Sequence, residues 1–271
     1  MSHAAAPSSN GPAIPSESAA SIIARLEAAL DREPGGVLAS DADGTLWDGD
    51  VGYDLFDALL ASEGVRAQAF AALQHEARTF GVPTEGSPTE VARALNAAHL
   101  TEQYPHDRAF AMMAWAFAGW SRDDVLAFAA EVLDRGKIEA RIRPEMKQIL
   151  QWAERHDVPI YLVSASPIAI IEVGAARLGV HVTGALAMTP ALDDEGLLLP
   201  HLDGPVVYGD GKVRALEQAG VASRLLGAFG DSAYDAAMLR VARVPVAVTP
   251  APRLVALLPG IAGVSELLIH R

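Results

Sequence analysis

The chain has 271 residues, 51% of them hydrophobic, and a formal net charge of −13. The apolar content is enough for one large α/β core, or for a core plus a smaller domain, while the acidic balance argues against nucleic acid and anionic membrane as partners. The absence of cysteine excludes disulfides, a thiol nucleophile and cysteine-ligated zinc, and it fits a reducing, cytoplasmic setting.

Residues 1–15 are rich in Ala, Ser, Pro and Gly and carry no apolar period, so a disordered tail is expected there. No basic region leads into an apolar one, so no signal peptide is expected, and no run approaches the length of a membrane span. From about Ser18, Ile22, Ile23, Leu26, Ala29 and Leu30 have helical spacing, with Ser16 or Ser18 as a cap. The run Val37 to Ser40, bounded by Gly35-Gly36 before and Asp43-Gly44 after, reads as a buried parallel strand. Strand alternation is expected to send Asp41 and Asp43 to the same face. Two acids at the end of a buried strand call for a positive charge between them, most simply a hard divalent cation such as magnesium.

After the turn-like stretch Asp48 to Gly52, helical periodicity runs from about Tyr53 to Arg135, with a loop over Gly81 to Pro88. Leu55, Phe56, Leu59 and Leu60 form one stripe; Phe110, Met113, Ala114 and Phe117 form another. Ser121 and Asp124 resemble a capping box with Asp in place of Glu, and Gly136 suits the end of that helix. About ninety residues of helix before the next strand far exceed an ordinary crossover, so a separate helical subdomain inserted after the first strand is expected.

Alternation then resumes. A helix is expected from Pro144 to about His156, a strand over Pro159 to Val163, a helix from Pro167 to Arg177 and a strand over His181 to Met188. Asp193 to Gly196 looks like a hairpin tip. Lys212 opens a helix to about Ala219, followed by a strand over Leu225 to Phe229 and a helix from Ser232 to Ala242. A strand over Val244 to Val248 and a last helix over Arg253 to Leu258 complete the pattern. The order predicts a doubly wound, parallel α/β sheet of Rossmann-like type, whose ligands sit beyond the carboxyl ends of the strands. The expected division is a core of 16–50 and 140–271 with a helical cap over 51–139.

Polar clusters fall where that rule wants them. Ser164 follows a strand and precedes a helix start, a place for phosphoryl oxygens, although a plain helix cap explains it too. Lys212, in Tyr208-Gly209-Asp210-Gly211-Lys212, is one of only three lysines; the ordinary alternative is a solvated side chain. Asp231 and Asp235 in Gly230-Asp231-Ser232-Ala233-Tyr234-Asp235 stand one helical turn apart; an N-cap explains one of them but not both.

Asp41-Ala42-Asp43-Gly44-Thr45, then Ser164, Lys212 and Gly230-Asp231 to Asp235, in that order, resemble the four motifs of the haloacid dehalogenase-like hydrolases over about residues 37 to 250. The resemblance implies that Asp41 is the nucleophile and Asp43 the general acid and base. It implies Ser164 and Lys212 as phosphate contacts, with magnesium held by Asp41, the Asp43 carbonyl and Asp231, and Asp235 as partner acid. The helical insert occupies the place of the family's cap. The phosphoserine phosphatase-like branch is the nearest in flavour. That branch has a substrate-binding glutamate nine residues after the nucleophile, where this chain has Asp50, and Ser232 and Tyr234 replace the Gly and Asn usual in its fourth motif. The implied activity is a phosphomonoesterase acting on a small organic phosphate. Amino-bearing substrates such as phosphoserine, phosphoethanolamine or phosphocholine stand beside sugar phosphates. A carboxylate-bearing substrate would need a cap arginine, Arg78 or Arg108. A receiver-like signalling module, which also joins acids, magnesium and a lysine, is the alternative from another class.

Overall fold

The computed structural model describes residues 14–270. The expected tail lies outside the described residues except for Ile14 and Pro15, where the Pro15 carbonyl accepts from Glu266 N at 2.9 Å. β1 (Ser16–Glu17) is a two-residue edge strand, and Ser18 caps α1 (Ala19–Arg32) by accepting from Ser21 N at 3.2 Å. β2 (Val37–Ser40) is buried along its whole length, as a central parallel strand covered on both faces must be.

Five helices follow: α2 (Val51–Ala61), α3 (Ala67–Thr79), α4 (Pro88–Leu100), α5 (His106–Trp115) and α6 (Arg122–Arg135). The sequence places their starts. Ser87 and Glu90 form a reciprocal capping box with Pro88 in the first turn of α4, an arrangement whose loss costs about 1 kcal/mol. Ser121 accepts from Asp124 N at 3.1 Å, but the return bond of a full box is absent. The apolar core is continuous from the sheet, through Leu38 and Leu162, into these helices, through Phe56, Leu73, Val91 and Phe117.

After the short α7 (Ile138–Arg141), α8 (Pro144–Arg155) leads into β3 (Ile160–Pro167), α9 (Ile168–Ala176) and β4 (Gly184–Met188). β5 (Pro190–Leu192) and β6 (Leu198–Leu202) form a separate antiparallel hairpin with the expected Asp-rich tip. Then come α10 (Asp210–Gln218), β7 (Leu225–Gly230), α11 (Ala236–Val241), β8 (Val244–Val248), α12 (Pro252–Val255) and β9 (Ser265–Leu267). The main sheet has the order β1-β9-β8-β7-β2-β3-β4 and every pairing in it is parallel. The chain winds outward from β2 through β3 and β4, then returns to β7 on the other side. The switch point therefore falls at β2, where a ligand crevice is expected.

The structure departs from the pattern reading in four places. The third predicted strand begins at Gly184 rather than at His181. The helix predicted over Ser232 to Ala242 opens as a 3₁₀ turn, Ala233–Asp235, before α11. β3 continues to Pro167, so Ser164 lies within the strand rather than after it. The short strands β1 and β9 have no apolar run long enough to announce them; they exist because each pairs in the sheet.

Candidate active site

The pairing register brings the sequence motifs to one height. Ser40 is level with Leu162 of β3 and with Phe229 of β7. Two residues beyond each partner stand Ser164 and Asp231, beside the loop that starts at Asp41. The three strands share a carboxyl end, so residues far apart in the chain become neighbours at the switch point. Asp41 N donates to Phe229 O at 2.9 Å, which extends the ladder by one residue and fixes where the nucleophile candidate leaves the sheet.

Lys212 reaches this point from the first turn of α10. Its Nζ donates to Asp41 Oδ1 and to Asp235 Oδ1, both at 2.6 Å, and the residue is only 2% exposed. The solvated-lysine alternative is thereby excluded. Burial disfavours the ammonium, but Asp235 and Asp41 outweigh that and raise its pKa above the ordinary lysine value. Thr45 Oγ1 donates to Asp41 Oδ2 at 3.1 Å, so both oxygens of Asp41 have a defined direction.

Asp235 is saturated. Besides Lys212, its Oδ2 accepts from Asp231 N at 3.2 Å, Ser232 N at 2.9 Å and Ser232 Oγ at 2.8 Å. It holds the lysine and the Asp231 backbone in place. Asp41, Asp231 and Asp235 offer oxygens that all lie within 4.8 Å of one another. Because the lone pairs of Asp235 are used, Asp41 and Asp231 are the carboxylates free to meet a cation. Gly44, at φ +73°, lets the loop turn; a Cβ there would overlap the Asp231 carboxylate. A Cβ on Gly230 would overlap Asp235 in the same way.

Asp43 needs a correction. The strand ends at Ser40, so alternation does not set the direction of its side chain. The carboxylate turns to partners of its own: Trp47 Nε1 at 2.8 Å and Val51 N at 2.7 Å on Oδ1, and Ser166 Oγ at 2.7 Å on Oδ2. It shares none of these with Asp41, and it stands apart from the three clustered acids. Only its carbonyl is left as a candidate metal ligand. Ser164, 1% exposed, accepts from Ser166 N at 3.1 Å, so it braces the turn that presents Ser166.

Asp50 is the N-cap of α2, its Oδ1 accepting from Tyr53 N at 2.9 Å. It also lies close enough to Asp43 for the two charges to interact, and burial and Asp43 together push its carboxyl up to about 7. Burial, with Asp235 next, lifts Asp231 to about 7, and burial raises Asp41 and Asp43 as well. Against Asp41, Asp43, Asp50, Asp231 and Asp235 there is one buried ammonium. The site is short of positive charge, and hard oxygen donors around such a deficit suit magnesium.

Neither candidate arginine joins this cluster. Arg108 is bound to Glu76 by two hydrogen bonds of 2.9 and 2.7 Å, in a cavity of about 380 Å³ between α3, α5 and β6 whose lining shares no residue with the carboxylates. Arg78 stands exposed in the last turn of α3. The sequence reading overlooked Thr45, Trp47 and Ser166. Ser166 was discoverable: Ser164 and Ser166 have strand spacing, and a strand carried two residues further puts both on one face.

Among the described residues, no helix is long and apolar enough to cross a membrane. The family model for the haloacid dehalogenase-like hydrolases matches residues 38–240. No curated protein matches the sequence. Among solved structures, a protein of unknown function from Bordetella pertussis Tohama I superposes with a TM-score of 0.66 at 20% identity, covering 86% of this chain and 98% of its own. A functionally unknown protein from Anaerococcus prevotii DSM 20548 gives 0.65 at 15% identity, covering 88% and 87%. A substrate-bound phosphoserine phosphatase complex gives 0.52 at 15% identity, covering 87% and 93%. These likenesses show the fold. With the family model spanning three quarters of the sequence, the chain belongs to the haloacid dehalogenase-like hydrolases and is an enzyme of that superfamily.

Proposed function

We propose that the protein is a magnesium-dependent phosphomonoesterase that forms an aspartyl-phosphate on Asp41 and acts on a small, amino-bearing organic phosphate. The buried bridge from Lys212 to Asp41 and Asp235 carries the reading. It holds the Asp41 carboxylate at the switch point and keeps a fixed positive charge beside it. The likeness to phosphoserine phosphatase folds supports a phosphate ester as substrate.

Asp41, Asp231 and the Asp43 carbonyl would hold the magnesium. Bound there, the ion would neutralise charge on the phosphoryl oxygens. Asp41 Oδ attacks phosphorus in line; the bond from phosphorus to the ester oxygen breaks as the new one forms. Lys212 offsets the repulsion between the carboxylate and the anionic phosphoryl group. Asp43, protonated, gives its proton to the leaving alkoxide. As a carboxylate it then takes a proton from the water that attacks phosphorus, which releases Asp41 and inorganic phosphate. Burial raises the pKa of Asp43, which favours the protonated form this step needs. Ser166 Oγ suits both stages, since a hydroxyl donates to the carboxylate and accepts from the acid. The helices of 51–139 serve in this reading as a cap that excludes water and meets the leaving group.

The test is a panel of phosphomonoesters assayed with and without magnesium, on wild type and Asp41→Asn. Magnesium-dependent turnover that vanishes in Asp41→Asn is the expected result. Full turnover in excess chelator, or an Asp41→Asn enzyme retaining more than a few per cent of activity, refutes the reading.

A further inference from the structure

Six aromatic rings form a closed circuit between the helices of 51–139 and the catalytic loops. Tyr53 neighbours Phe110 (6.0 Å between centroids), Phe110 neighbours Tyr208 (5.6 Å), and Tyr208 neighbours Tyr234 (4.2 Å). Tyr234 leads to His106 (6.0 Å), His106 to His99 (4.6 Å), and His99 back to Tyr53 (6.1 Å). Tyr208 comes four residues before Lys212, Tyr234 one before Asp235, and Tyr53 three after Asp50. The rings therefore lie beside the loops that carry Asp50, Lys212 and Asp235. Apart from His99, which also neighbours Phe110 across the circuit (5.6 Å), all of these rings are partly exposed.

The polar groups of the circuit are partly engaged, and His99 Nδ1 is buried without a partner. The Tyr53 hydroxyl pairs with His99 Nε2. Asp50 lies between Asp43 and Tyr53, and its charge acts on both. Yet its capping oxygen is spent on the start of α2. Arg253, the nearby cation, is paired with Glu102 at 3.1 Å. Burial, reinforced by His106, holds His99 below its ordinary value, so that ring is neutral rather than a competing cation. The region thus offers π faces and negative charge. A primary ammonium needs acceptors for three N–H groups; a quaternary ammonium needs none and is attracted to ring faces and to charge. Arg108 does not stand free to take a substrate carboxylate, since it is engaged by Glu76.

We infer that the leaving group is a quaternary ammonium alcohol, so that the substrate is a choline-phosphate-type monoester seated against the Tyr53, Phe110, Tyr208 and Tyr234 rings with Asp50 as its counter-charge. This rests on the phosphomonoesterase reading. The experiment compares kcat/KM for choline phosphate with that for 3,3-dimethylbutyl phosphate, its neutral carbon isostere, in the magnesium-loaded enzyme, with p-nitrophenyl phosphate as reference. Choline phosphate should lead its isostere by at least tenfold, and Phe110→Leu should bring that ratio toward one. The ratio is internal to each preparation, so a partly unfolded variant does not distort it. A second arm measures binding of the same pair to Asp41→Asn by calorimetry, where the same preference is expected. Equal kcat/KM for the two esters, a preference for ethanolamine phosphate over choline phosphate, or a ratio unmoved in Phe110→Leu overturns the cation site while leaving the phosphatase reading intact. Failure to hydrolyse p-nitrophenyl phosphate sinks the phosphatase reading, and the cation site with it.

Discussion

Replacing Lys212 by Met removes the one positive charge from the buried cluster while nearly conserving its volume. Two hydrogen bonds of 2.6 Å disappear, and Asp41 and Asp235 face each other with no counter-ion. The lysine and both acids are almost wholly inaccessible, so water does not replace the lost partner. Breaking a buried pair from one side costs about 3–5 kcal/mol. At roughly 2–4 °C per kcal/mol for a chain of this size, the melting temperature should fall by about 10 °C at pH 8 in magnesium-free buffer. The pH dependence has a definite sign. With the lysine gone, the folded-state pKa of the stranded carboxylates is raised above the unfolded value. Folding then binds a proton, and stability is regained as pH falls. The deficit should accordingly shrink at pH 5. Urea or thermal unfolding at the two pH values measures it, and Lys212→Met with Asp235→Asn should recover part of the loss, because the amide keeps an acceptor for Ser232 N without the charge. A deficit below about 1 kcal/mol, or one equal at pH 5 and pH 8, would show that the cluster is not the dry ion pair described.

Asp50→Asn keeps the N-cap of α2 but deletes a carboxyl that burial and Asp43 push up to about 7. Because that pKa is raised, wild-type stability falls as pH climbs from about 4 to about 7 and stays lower above; Asp50→Asn should therefore melt higher than wild type at pH 8 and show little difference at pH 4. Ser166→Ala leaves Oδ2 of Asp43 without its partner, so kcat for alkyl phosphates should drop about tenfold, with a shifted pH profile, while aryl phosphates lose less; equal losses on both classes would reduce Ser166 to packing. Asp231→Ala should raise the magnesium concentration needed for half-maximal activity by at least tenfold, and an unchanged requirement would remove Asp231 from the metal site. Gly44→Ala should weaken both stability and metal affinity, since its Cβ would overlap the Asp231 carboxylate and φ is +73°; a silent variant would mean that the loop is free to move.

The convergence of the candidate site residues was legible in the chain because it depends on residue type and order. Asp41, Ser164, Lys212, Asp231 and Asp235 follow apolar runs or open helices, and a parallel sheet converts that arrangement into proximity at the strand ends. The doubly wound fold was legible for the same reason: alternating runs of β-branched and aliphatic residues with helical segments admit few topologies. What the sequence could not settle is direction. Whether Asp43 points with Asp41 or away from it depends on where β2 stops. That is decided by pairing with β3 and β7 on either side, not by the local residues. The short strands β1 and β9 exist only through each other and β8. Thr45 carries no pattern that marks it, and its hydrogen bond to Asp41 gives it meaning; Ser166 has strand spacing with Ser164, but only its hydrogen bond to Asp43 gives it a role. The aromatic circuit joins residues as distant as Tyr53 and Tyr234. The sequence supplied the rings in separate helices and loops, and only packing of those helices over the carboxyl end of the sheet brought their faces together.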